Sequence, residues 1–192
     1  MRKLLLVLVG SVFAAMLASC GGGGGGPLAP KNLGFTPDEL KEKLTTGELA
    51  VRLPESRFTK DKDGKDVFYF SNKQTGLIVG GNVDSGGRVH AAFASVPYPA
   101  ISFLSSQQMG VAMSGILRAT SPDITVRKAA DMVVQVWNDL PKTKGAKPNV
   151  FALDGKAYSA LLEPHQGGMR AFFMVCVIGV DFCKTAEASA AK

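Results

Sequence analysis

The chain has 192 residues and a formal charge of +6, a length that suits one domain with a sizeable core. No Lys/Arg run and no basic–aromatic stripe stands out, so the electrostatic footprint of a nucleic-acid binder is missing.

Read in order, the chain opens with Arg2 and Lys3, continues through an apolar or small run from Leu4 to Ala18, and closes on Leu17-Ala18-Ser19-Cys20. A basic start, an apolar stretch of this length and a small-residue cleavage site are the marks of a secretory signal. The run is shorter than the roughly 20 residues a membrane-spanning helix needs, and six glycines follow it. Leu17, the two small residues after it and Cys20 together resemble the lipobox of bacterial lipoprotein precursors. The resemblance implies that residues 1–19 are removed and that Cys20 becomes the lipidated, palmitate-bearing first residue. Three acyl chains would make an effectively permanent membrane anchor. In that family an aspartate after the cysteine retains the protein at the inner membrane. Gly21 therefore implies the outer membrane, with the domain facing the periplasm. The mature chain of 173 residues then carries about +4.

Residues 20–34 read as the lipidated cysteine and its tether, glycine-rich from Gly21 to Gly26 and stiffened by Pro27 and Pro30. As a coil this stretch reaches roughly 20 Å, enough to lift a domain clear of headgroups. Residues 35–184 form the expected single domain, and 185–192, small and polar, an expected disordered tail.

Thr36-Pro37-Asp38-Glu39 offers an N-cap, a proline at the first helical position and a glutamate three residues after the cap. The spacing predicts a helix to about Gly47 that turns Phe35, Leu40 and Leu44 inward. Lys60 to Lys65 reads as a turn around Asp63-Gly64. Strand-like runs follow at Val67–Ser71, Leu77–Val83 and Arg88–Val96, with turn-rich connections, an antiparallel meander. Gly80-Gly81 inside the middle run predicts a bulge or a close backbone approach.

Pro97 and Pro99 end this group. Ser105-Ser106-Gln107-Gln108 reads as the capping box of a helix to about Ala119, whose apolar face is Met109, Ala112, Met113, Ile116 and Leu117. Ser121-Pro122-Asp123 restarts a helix to about Leu140 with Val126, Ala130, Val133, Trp137 and Leu140 as its stripe. Asn149–Leu153 and Lys156–Leu162 read as a hairpin about Asp154-Gly155. Pro164–Gly168 reads as a turn, Met169–Gly179 as a very apolar strand, and Val180–Cys183 as its partner or continuation. Runs of strands separated by a helix pair predict an α+β fold: antiparallel sheet or sheets, one or two, with a helix pair packed on one face and a short N-terminal helix.

Chemistry is thinly marked. The two histidines, His90 in a strand and His165 in a turn, have no HExxH or CxxC around them, so neither zinc nor a redox thiol pair is indicated. Ser114 lacks the GxSxG elbow, and a triad of Ser114, His165 and Asp154 rests on sequence distance alone. Asp61 to Asp66 has a calcium-loop look but carries Asn72 where the glutamate belongs. Gly80-Gly81 and Gly86-Gly87 open no helix, so no phosphate loop is read. No catalytic residue and no cofactor is assigned.

Cys176 and Cys183 form an even pair in a chain bound for an oxidising compartment, either a disulfide or two buried thiols. A bridge over so short a loop would add on the order of 2.5 kcal/mol. Met109 and Met113 suit core packing or a pliable groove. Tyr98, held between Pro97 and Pro99, suits a partner contact or a loop plugging its own core. The expectation is a non-enzymatic envelope lipoprotein whose tethered domain binds another envelope protein. A domain holding a small apolar ligand between sheet and helices, or a periplasmic hydrolase using His165, are the alternatives.

Overall fold

The structure, a computed structural model, describes residues 32–46, 50–100, 102–143, 149–165 and 168–177. Cys20, the signal and most of the tether, Cys183 and the tail lie outside these residues. Elements run α1 (Pro37–Thr45), β1 (Glu55–Lys60), β2 (Asp66–Asn72), β3 (Leu77–Val83), β4 (Val89–Tyr98), α2 (Phe103–Thr120), α3 (Val126–Asp139), a 3-10 turn (Leu140–Thr143), β5 (Asn149–Leu153), β6 (Lys156–His165) and β7 (Gly168–Val177). The strands form one seven-stranded sheet in the order β1-β2-β3-β4-β7-β6-β5, with every pair antiparallel. The fold is α+β, with the helix pair packed against the sheet. The two strand groups are a single sheet, zipped together by β4 and β7.

Local chemistry explains most boundaries. Thr36 and Glu39 close the full capping box on α1, with Pro37 at its start. Leu40, Leu44 and Phe35 are buried as the spacing demands. The Asp154-Gly155 turn has positive φ at both residues, 49° and 70°, which a two-residue hairpin of primed type requires.

Four expectations need correcting. The strand β1 is an unforeseen edge strand: its sequence, Glu-Ser-Arg-Phe-Thr-Lys, is charged and largely exposed, so it lacks the alternation that marks a half-buried strand. The helix α2 begins two residues before the expected capping box, because Ser102 caps it by accepting from the Ser105 amide at 3.1 Å. The helix α3 begins at Val126, capped by Thr125, since Ser121 to Ile124 close a turn first. Its buried stripe is Ala129, Val133, Val136 and Leu140: Val133 and Leu140 are as expected and Trp137 packs on the core half-buried, while Val126 and Ala130 are left in water. Residues Pro164 and His165 extend β6 rather than forming a turn.

The main core lies between the helices and one sheet face: Phe68, Phe70, Val79, Ala94 and Val96 meet Met109, Ala112, Met113, Ile116 and Leu117. Gly115 lets α1 approach α2, since a Cβ there would strike Leu44. Gly81 needs its missing side chain more sharply, because a Cβ would collide with the Ala91 carbonyl. The glycine pair thus marks a close backbone approach, and the irregularity in the β3–β4 ladder falls one step on, where His90 is the extra residue between Ala91 and Val89. On the helix-free face a second cluster gathers Ala91, Phe93, Ala157, Phe172, Met174 and Cys176.

Candidate functional site

The sheet has two ends, and the chain enters at one of them. The Leu33 amide donates to the Val89 carbonyl at 2.7 Å, the Val89 amide to the Phe35 carbonyl at 2.8 Å, and Asn32 to Asp84 at 2.8 Å. Residue 32 is therefore pinned beside the β3–β4 turn, at the start of β4. The strand then runs ten residues to Tyr98, so its far end lies roughly 30 Å away at about 3.3 Å per residue. At that far pole converge the end of β4, the first turn of α2, the last turn of α3, the β2–β3 turn and the β6–β7 hairpin.

The helix side of this pole is apolar and open. Phe103 is 85% exposed and Leu104 49% exposed, in consecutive positions at the start of α2. Tyr98, half-buried, sets its ring edge-on to Trp137 of α3 at 6.3 Å, and the bond from Tyr98 to Pro99 is cis. The tyrosine is thus braced on its own domain, five residues before the open phenylalanine. Phe103 was missed in the sequence because a helix begun at residue 105 leaves it in a connection; its signal was the Ser102 cap.

The helix-free side of the pole is ionisable. Glu163 and Arg170 are register partners across β6 and β7, so their side chains share a face, and His165 stands two residues from Glu163 on the same face. Arg170 reaches sideways over β4. Its Nε donates to Ser95 Oγ at 3.2 Å, and its Nη2 donates to the Gly76 carbonyl at 2.8 Å and the Ser95 carbonyl at 3.3 Å. Burial pulls its pKa down to about 10. Among the described residues it has no carboxylate partner. Burial also raises the Glu163 carboxyl above its ordinary value, and burial together with the Arg170 charge lowers His165.

The triad of Ser114, His165 and Asp154 is not assembled. Asp154 and His165 stand at opposite ends of β6, roughly 30 Å apart over ten residues, and Ser114 belongs to α2 on the other side of the sheet. His90 is the half-buried bulge residue of β4. Met109 and Met113 are both 1% exposed, inside the core. The Asp61 carboxylate accepts from the Asp63 amide at 2.8 Å and the Lys65 amide at 2.9 Å, bracing its own turn. No group of three His, Cys, Asp or Glu residues suited to a metal occurs among the described residues, and no described helix is long and apolar enough to cross a membrane. Cys176 is buried on the helix-free face.

No family model, curated protein or solved structure matches this chain.

Proposed function

We propose that this protein is an outer-membrane lipoprotein, anchored through Cys20, whose periplasmic domain docks another envelope protein at the pole farthest from its tether. The observation that carries the reading is the placement of Phe103. An aromatic ring left 85% exposed beside Leu104 is the kind of apolar patch that marks an interaction site. It stands across the length of β4 from the point where the chain enters. A domain held at residue 32 would turn that patch away from the lipid surface and toward the periplasm. Anchoring confines the domain to a thin layer, so a small interface of modest affinity suffices. The reading also pairs Cys176 in a disulfide with Cys183, the cysteine left over once Cys20 carries lipid, as an oxidising compartment favours.

Crosslinking in intact cells, followed by capture and mass spectrometry, tests the docking reading. One recurring envelope partner is expected for the native protein and is expected to be lost in Phe103→Asp with melting unchanged, since Phe103 contributes almost nothing to the core. A partner retained by Phe103→Asp overturns the docking site. Cys20→Ser is expected to release the protein from membranes; continued membrane association overturns the anchor.

A further inference from the structure

We propose that Arg170 is the seat of a carboxylate-binding site on the helix-free side of the far pole, and that its occupant is an acidic side chain of the docking partner. The inference rests on the reading above for its occupant, while the site itself is testable without the partner.

The guanidinium is half-buried yet faces no carboxylate among the described residues. Three neutral acceptors, Ser95 Oγ and the carbonyls of Ser95 and Gly76, take its Nε and Nη2 hydrogens and fix the plane of the fork. Those contacts leave both Nη1 hydrogens unspent, on a group already oriented. A fork held rigid before its anion arrives loses little freedom on binding. A carboxylate is the matching acceptor in charge and shape.

The nearest candidate within the chain does not take that place. Glu163 stands opposite Arg170 in the ladder but forms no ion pair with it and no hydrogen bond among the described residues, because the guanidinium turns away over β4 toward the β2–β3 turn. His165 lies on the same face and makes no hydrogen bond among the described residues either. Glu55 and Lys73, at the same end of the sheet, are paired with each other. The result is a cation clamped by its own sheet, with no carboxylate partner among the described residues.

The test is an NMR titration of the mature, full-length lipoprotein in detergent micelles, following the Arg170 Nε–H resonance. The probes are a tetraglutamate peptide, a tetraglutamine peptide and inorganic phosphate. Tetraglutamate is expected to shift that resonance saturably, with tetraglutamine silent. Arg170→Gln is expected to weaken binding roughly ten- to a hundredfold, as loss of charged hydrogen bonds does. Glu163→Gln leaves the clamp intact and is expected to tighten binding several-fold by removing a like charge from the approach; it also keeps the test alive if Arg170→Gln fails to fold. Equal response to tetraglutamate and tetraglutamine overturns the site. Phosphate matching tetraglutamate overturns the commitment to carboxylate. A working carboxylate site without the crosslinked partner separates failure of the docking reading from failure of this one.

Discussion

Tyr158 ties the helix pair to the sheet through a single oxygen. Its ring stacks on Phe151 at 5.0 Å with 6° between planes and on Phe173 at 6.1 Å. Its hydroxyl meets Thr120 Oγ1 at 2.7 Å and Ser121 Oγ at 3.1 Å, at the end of α2, and all three residues are sealed from water. Thr120 already donates to the Ile116 carbonyl at 2.7 Å, so the tyrosine gives its one hydrogen to Thr120 and accepts from Ser121, and removing its oxygen strands a buried acceptor and a buried donor at once. Tyr158→Phe is expected to cost about 1–3 kcal/mol, read as a lowered midpoint in chemical denaturation with the slope unchanged. Glu163 and His165 allow a sharper test, because they respond to pH in opposite senses. A carboxyl raised by burial contributes stability below its ordinary value of 4.5 that is lost as pH rises through its folded value. A lowered histidine contributes stability above 6.5 that is lost as pH falls through its folded value. Glu163→Gln is therefore expected to raise the melting temperature at pH 7. His165→Gln is expected to flatten the loss between pH 7 and pH 5. Melting curves across that range in the two variants decide it, and parallel profiles would remove burial as the cause. None of this was legible in the sequence: Glu163 and Arg170 look like ordinary strand charges until the register sets them on one face.

At the scale of elements, the glycines of β3 show how closely two backbones pass. A methyl at Gly81 meets the Ala91 carbonyl, which belongs to the ladder and has no rotamer to yield. Gly81→Ala is expected to cost about 1–3 kcal/mol from overpacking, or to displace β4 outright. Gly110→Ala, whose Cβ would sit 3.8 Å from Val133 in ordinary contact, is the contrasting control inside α2 and is expected to melt slightly higher than the native protein, by about 0.5–1 kcal/mol of helix propensity. Most elements were readable because their chemistry is local. The capping box of α1, the apolar face of α2 and the Asp154-Gly155 turn each need only a few neighbouring residues. The edge strand β1 was not readable for the complementary reason. Its pairing with β2 comes from backbone hydrogen bonds, and a row of charged, exposed side chains is what an edge carries to resist further pairing. Only the start of the α3 stripe, Val126 and Ala130, was misplaced, because the helix begins where the Ser121–Ile124 turn closes.

For the molecule as a whole, polarity in space is the main organising property: chain entry at one end of β4, exposed Phe103 and clamped Arg170 at the other. Sequence reasoning singled out Tyr98 and His165, which both stand near that second end. It could not see Phe103 and Arg170 joining them, since only the pairing of Tyr98 with Met169 brings the β6–β7 hairpin to that end. The same pairing governs how the protein comes into being. The central ladder joins residues 71 positions apart at Tyr98–Met169 and 85 apart at Ala91–Cys176, with both long helices inside the loop it closes. The sheet's middle is thus completed by the last strand described. The four-stranded meander and the later hairpin are made early from near neighbours and then wait on a slow, non-local closure. Until β7 pairs with β4, each half presents a raw edge to any passing strand. A chain of this topology gains most from an escort during the interval before its two halves join.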